Sequence, residues 1–213
     1  MSEIIIISNT CVGQQVHNII NNNEYNNPFV ATLFVNDLDF IKLCNNIHHY
    51  ISYEPVLGIP KSDTIFVKQN GSEWYKHDAI STPYPIIFLD DIEIHCIHEQ
   101  NPQKCLETFT RRFERMKTIM AYPTNYKLIG ILSFSELIND HNNTQQIIDV
   151  FLSNKNNIFI GPSIYKNNEN INYIIKPDFD YVNLIRNSSH IYYFNDQDVI
   201  TNIFTNHINT YYK

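Results

Sequence analysis

The sequence predicts an α/β protein, a layered α/β/α sandwich around a mainly parallel sheet, folded as a single domain. Short, wholly apolar runs recur, led by Ile4 to Ile7 and Ile86 to Leu89, and a strand buried on both faces reads as such a run. Between them lie segments whose apolar residues fall at helical spacing, as in Cys105, Leu106, Phe109, Phe113 and Met116. The two kinds of segment alternate along most of the chain, the pattern of parallel strands joined by helical crossovers. The chain has 213 residues with 43% hydrophobic content, enough for one sizeable core. Residues 1–122 and 123–213 read as two parts of that one domain, with no repeat or long linker between them.

The first strand, Ile4 to Ile7, runs into the polar turn Ser8 to Gly13 and then a helix around Gln14 to Ile20. Phe29 to Val35 reads as a second strand, and Asn36 or Asp37 caps a helix reaching Ile51. Pro55 to Pro60 connects to a strand over Thr64 to Lys68, Asn70-Gly71-Ser72 turns the chain, and Trp74 to Tyr84 reads as an irregular aromatic loop. Pro102 opens a helix. Strands are expected at Tyr126 to Leu132, Asn157 to Gly161, Ile171 to Ile175 and Ile191 to Phe194. Helices are expected at Phe134 to Asp140, Thr144 to Leu152, Pro177 to Ile185 and Asp196 to Tyr211.

Composition narrows the function. A formal charge of −7 lacks the basic footprint that nucleic-acid binding needs. No run approaches the roughly 20 apolar residues that span a bilayer, so no membrane insertion is expected. The start, Met1-Ser2-Glu3 before four Ile, reads as a core strand rather than a signal peptide. Four cysteines without paired spacing read as free thiols of a reducing compartment, hence a cytoplasmic protein. Heavy use of Asn and Ile reads as codon bias.

The stretch from Pro85 to Glu99 joins an apolar run to a cluster of titratable side chains. As one strand it sets Asp91, Glu93 and His95 on one face and Ile92, Ile94 and Cys96 on the other. Packing alone produces such alternation. A buried run that turns abruptly acidic also fits a cleft at strand carboxyl ends. With five glycines and no Gly-x-Gly-x-x-Gly, P-loop or Gly-x-Ser-x-Gly, the common phosphate cradles and the nucleophile elbow are set aside. His95, Cys96 and His98 are metal-ligand types, but His95 points away from the other two on a strand. Three constellations remain. Asp90, Asp91 and Glu93 can hold a divalent metal against a nucleotide sugar. His95 or His98 can act as a general base oriented by a carboxylate. The turn Ser8 to Gly13 can offer a nucleophile or an anion cradle. On the helix after Pro102, Arg111, Arg112, Arg115 and Lys117 make a basic face that reads either as solvated pairing with Glu107 and Glu114 or as an anion clamp.

Ile7-Ser8-Asn9-Thr10-Cys11-Val12-Gly13, Asp39-Phe40-Ile41-Lys42-Leu43-Cys44, Asp91-Ile92-Glu93-Ile94-His95-Cys96-Ile97-His98, and Arg112 with Arg115 resemble, in this order, the motifs of the DUF1919 family. The resemblance covers about the first 120 residues, and departs from the family pattern at Val12, Gln14 and Glu99. Members are often labelled exopolysaccharide biosynthesis proteins. The resemblance thus implies a cytoplasmic protein that builds or decorates a surface glycan, with a small-molecule or oligosaccharide substrate. The expected activity is a transferase working on a sugar hydroxyl or amine, with acyl transfer from a coenzyme A thioester favoured. His95 or His98 is then the base, Asp91 its orienting partner, and Ser8, Asn9 and Cys11 line the donor site with Arg112 and Arg115. The alternatives are a nucleotide-sugar glycosyltransferase using Asp90, Asp91 and Glu93 with a divalent metal, and a non-catalytic glycan-binding or scaffold protein.

Overall fold

A computed structural model describes residues 3–10, 12–21, 25–34, 36–59, 64–69, 73–78, 84–133, 144–161 and 173–175. In chain order the elements begin with β1 (Glu3–Ser8), α1 (Val12–Asn21), a 3-10 turn (Phe29–Ala31), α2 (Asp37–Asn45) and α3 (Ile47–Tyr50). There follow β2 (Val56–Gly58), β3 (Thr64–Gln69), β4 (Glu73–Asp78), β5 (Ile86–Leu89), β6 (Ile92–His95) and α4 (Pro102–Met120). A second 3-10 turn (Pro123–Asn125), β7 (Tyr126–Ser133), α5 (Thr144–Leu152), β8 (Ile158–Gly161) and β9 (Tyr173–Ile175) complete the series. The helices expected over 134–140, 177–185 and 196–211 and the strand over 191–194 lie outside the described residues.

The fold is α/β. Its main sheet has the order β1-β7-β8-β9, with every neighbouring pair parallel. Successive side chains of a strand face opposite sides, and here both sides are buried. Ile5, Ile7, Leu132 and Phe159 join a large core with Phe40 of α2, Phe109 and Phe113 of α4, and Phe151 of α5. Ile6, Ile129, Ile131, Ile158 and Ile160 point the other way, onto Val16 of α1 and Val30. This two-sided burial is why the strands read as continuous apolar runs.

β1 lies at the end of this sheet, and asparagine side chains satisfy its outer carbonyls. Asn26 Nδ2 donates to Ile4 O at 3.0 Å and Asn27 Nδ2 to Ile6 O at 2.9 Å. An edge carbonyl left bare invites pairing with another chain; two amides fill that role here. Asn9, fully buried, extends the pairing past Ser8: its Oδ1 accepts from Ser133 N at 2.8 Å and its Nδ2 donates to Ser133 O at 2.8 Å. The same Nδ2 donates to Asp37 Oδ1 at 2.7 Å, tying both strand ends to the start of α2.

The stretch 85–99 is not one strand of the parallel sheet. β5 and β6 form an antiparallel hairpin turning at Asp90-Asp91, and β2 pairs on the other side of β5. Asp90 has φ 56°, a left-handed conformation that Asp tolerates better than most residues and that two-residue hairpin turns demand. The strand expected over 29–35 is replaced by the 3-10 turn and a single antiparallel bridge between Leu33 and His95. The Asn27 side chain accepts from Phe29 N at 3.0 Å, a local bond that competes with extended pairing. The aromatic stretch after residue 72 contains a regular strand, with Trp74 opposite Lys68 and Tyr75 opposite Val67, as its β-favouring residues allow. The helix expected to reach Ile51 breaks at Asn46 (φ −131°, ψ 37°), which separates α2 from α3.

Helix starts follow their sequence signals. Asn36 caps α2 by accepting from Leu38 N at 3.0 Å, and Asn101 caps α4 by accepting from Lys104 N at 3.0 Å, with Pro102 in the first turn. Buried Cys105, Phe109, Phe113, Met116 and Met120 form the inner stripe of α4.

Asn9→Ala leaves buried backbone groups of Ser133 without their partner, so it should lower the free energy of unfolding by about 2–4 kcal/mol. Chemical denaturation measures this; a loss under about 0.5 kcal/mol, the scale of an ordinary surface change, would show that the amide does not hold the two strand ends.

Candidate functional site

The residues of the acidic strand separate into three places. The first is a sealed hydrogen-bonded chain. His95 is fully buried, its Nε2 2.8 Å from Glu93 Oε1 and its Nδ1 3.2 Å from the Tyr84 hydroxyl. An ionised Glu93 can only accept, so Nε2 carries a proton, and in the neutral ring the Tyr84 O–H donates to Nδ1. Glu93 and His95 do share one face of β6, as strand alternation requires, while Ile92, Ile94 and Cys96 turn into the large core. Leu33 N donates to His95 O at 2.9 Å and His95 N to Leu33 O at 2.9 Å. This histidine has no surface from which to reach a substrate.

The second place is the exposed tip of the hairpin. Asp91 accepts from Lys42 Nζ at 2.9 Å and from the Tyr50 hydroxyl at 3.0 Å. It is therefore not the orienting partner of His95; Glu93 takes that position. The Lys42 bond holds the Asp91 carboxyl below its ordinary range. Burial, with the Asp91 bond added to it, pushes the Tyr50 hydroxyl up to about 12. Asp39, raised by burial, accepts from Lys42 at 3.4 Å and from Glu93 N at 3.4 Å. Asp90 lies 3.5 Å from His49 instead. Asp90, Asp91 and Glu93 thus face three different partners, and among the described residues no group of three His, Cys, Asp or Glu side chains is placed to hold a metal ion.

The third place is a hollow of about 320 Å³ between the start of the chain and α4. The backbone turn from Cys96 to Glu99, closed by Glu99 N donating to Cys96 O at 3.0 Å, brings Cys96, exposed His98 and Glu99 to one wall. Cys105 and Arg112 come from α4, Gln14 from α1, and Tyr25 and Thr32 from the segment around the 3-10 turn. The Arg112 guanidinium lies 4.6 Å from the centroid of the Tyr25 ring, and among the described residues it makes no ion pair. Burial pulls its pKa below the ordinary value, an effect that an anionic neighbour reverses. The Thr32 hydroxyl is buried and, among the described residues, has no hydrogen-bond partner. Thr32 lines the hollow as a residue, but its hydroxyl oxygen is itself enclosed and, like the His95 ring, presents no surface to a ligand.

Of the residues predicted for a site, His98 and Arg112 meet in this hollow. Arg115 is exposed and does not line it. Ser8 and Asn9 are fully buried and committed to structure: the Ser8 Oγ accepts from Thr10 N at 3.3 Å, and the Asn9 amide is saturated as described. Gly13 is required beside them, because a Cβ there would lie 2.7 Å from the Ser8 Cβ. Cys11 lies outside the described residues. Sequence reasoning missed Thr32, Tyr25 and Cys105. Cys105 reads as one more apolar position of a helix, and Thr32 has no local signal, since the long-range Leu33–His95 bridge brings it beside Cys96.

Two variants should separate the sealed chain from the hairpin tip. Glu93→Ala strands a buried imidazole and should cost about 2–4 kcal/mol, whereas Asp91→Asn, at a half-exposed pair, should cost under about 1 kcal/mol near neutral pH. Asp91 has a folded value below its unfolded one, so its contribution is present above the unfolded carboxylate range. That contribution disappears as pH falls through the folded value, and the acid limb of the stability curve should flatten slightly in Asp91→Asn. Equal losses for the two variants in urea titrations across pH 3 to 7 (about the carboxylate range) would contradict this division.

No curated protein matches the chain, and no solved structure matches it. The family described as Domain of unknown function (DUF1919) matches residues 1–204, well beyond the first 120 residues that carry the recognisable motifs. The chain belongs to the DUF1919 family.

Proposed function

We propose that this protein is a cytoplasmic transferase of surface-glycan assembly, passing an acyl group from a coenzyme A thioester to a sugar hydroxyl or amine. The glycan context rests on the label that many members of its family carry. The chemistry rests on the hollow, and above all on the exposed His98 and the half-buried Arg112 that line it together. At about 320 Å³ the hollow is at the small end of ligand sites, which run from roughly 300 to 1,000 Å³. That size suits a sugar ring or the acyl end of a thioester, with the rest of the carrier left outside.

His98 is exposed on the rim and is the base that withdraws the proton from the acceptor. Arg112, half-buried and without an ion pair among the described residues, stabilises the negative charge that develops on the carbonyl oxygen. The Tyr25 ring offers an apolar face. His95 and Glu93 act indirectly, by fixing the strand end from which Cys96 to Glu99 project. Among the described residues no helix is long and apolar enough to cross a membrane.

A thermal-shift screen tests the reading. Acetyl-coenzyme A should raise the melting temperature without added metal, and Arg112→Ala should weaken that binding by about 10-fold, the scale of one lost charged hydrogen bond. Stabilisation by nucleotide sugars that depends on a divalent ion would favour glycosyl transfer instead. Binding of oligosaccharide alone, unchanged in His98→Ala, would favour a glycan-binding protein.

A further inference from the structure

The hollow carries one charge that the acyl-transfer scheme above leaves unused. Glu99 lines the same wall as His98, half-buried where the turn after β6 closes, its own N–H donated to Cys96 O at 3.0 Å. Arg112 lines the hollow from α4, also half-buried, with its guanidinium 4.6 Å from the centroid of the Tyr25 ring. A space of about 320 Å³ thus holds a cation and an anion, and among the described residues neither is in an ion pair. A guanidinium and a carboxylate match in shape, and each loses hydrogen bonds to water on burial, so in so small a space the two ordinarily close on each other. Here the Tyr25 ring takes the face of the guanidinium, and the turn carries Glu99 on another element. A ligand that meets both charges carries a cationic donor at one end and an electron-rich oxygen at the other. The acids of α4 do not share this role: Glu107 is exposed and accepts from Gln103 at 3.2 Å, and Glu114 pairs with Lys117 at 2.7 Å.

We propose that Glu99 makes the hollow select an amine as the acceptor, holding the ammonium group of an amino sugar while Arg112 holds the acyl carbonyl. The proposal rests on the acyl-transfer reading and narrows its acceptor from a hydroxyl or amine to an amine. A hydrogen bond from an ammonium to a carboxylate is roughly twice as strong as one between neutral groups, so a hydroxyl in the same place is held less well. The ammonium becomes a nucleophile only after losing a proton, which His98 takes. The amine nitrogen then attacks the thioester carbonyl; a carbon–nitrogen bond forms and the carbon–sulfur bond to coenzyme A breaks. The second proton of the nitrogen goes to the departing sulfur, which leaves as the thiol, and His98 releases its own proton to solvent. The amide product carries no charge at nitrogen and so loses its hold on Glu99.

The test is a titration of the full chain with three probes, glucosamine, glucose and N-acetylglucosamine, followed by saturation-transfer NMR and calorimetry. Near neutral pH glucosamine should bind about 10-fold more tightly than glucose, the scale of charging one hydrogen bond, and N-acetylglucosamine no better than glucose. Glu99→Gln keeps the size of the side chain and removes its charge, so it should abolish the preference while the free protein melts as before. Glu107→Gln removes the same charge outside the hollow and should retain the preference. Glucosamine bound no more tightly than glucose, or a preference that survives Glu99→Gln, would overturn the proposal; acetyl-coenzyme A binding in the same protein would keep the acyl-transfer reading standing. A preference that depends on Glu99 in a protein that binds no acetyl-coenzyme A would support the ammonium site and remove the acyl-transfer reading.

Discussion

The structure depends on one seam, where residues 33 and 34 join the parallel sheet to the β5–β6 hairpin. Leu33 exchanges two backbone hydrogen bonds with His95, and Phe34 N donates to Asn9 O at 2.9 Å. Asn9 in turn locks the carboxyl ends of β1 and β7 and the start of α2. Each of these groups is buried, so each unmade bond would cost its full desolvation. Register is thereby set for both sheets at once. The seam also fixes what flanks it: Thr32 on one side and Cys96 on the other, both in the wall of the hollow.

The division of labour among titratable groups follows from this placement. His95 is inside the seam, and its ring is consumed by Glu93 and Tyr84. Three residues further on the chain has left the sheet, and His98 reaches solvent beside Arg112. One short stretch thus carries a histidine buried for stability and another exposed beside Arg112. On the hairpin tip, Asp91 and Lys42 belong to a surface network with Tyr50, on the scale of other exposed ion pairs.

Much of the fold was legible because burial on both faces leaves an unmistakable trace. The runs Ile4 to Ile7 and Tyr126 to Leu132 are strands of the main sheet, and the stripe of α4 falls where helical spacing puts it. The run Ile86 to Leu89 is equally apolar, yet belongs to an antiparallel hairpin. Apolarity reports burial and is silent on strand direction; the turn signal was Asp90-Asp91, which a catalytic reading absorbed. Asn usage misled in the opposite sense. Asn9, Asn26, Asn27, Asn36, Asn101 and Asn157 each satisfy named backbone groups, so a skewed composition has been put to structural use. Of the site, Arg112 and His98 could be named from residue type. The hollow itself could not, because it forms between segments about 70 residues apart that the Leu33–His95 bridge and the Tyr25–Arg112 contact bring together.

The central proposal is that the hollow lined by His98 and Arg112 receives the reacting end of an acyl thioester. A crystal structure of the protein with a non-hydrolysable acyl-coenzyme A analogue tests it most directly. The account predicts the acyl end in this hollow, with its carbonyl oxygen toward Arg112 and its carbonyl carbon on the side of His98. Density for the acyl end elsewhere, with His98 and Arg112 left facing an empty hollow, would contradict it.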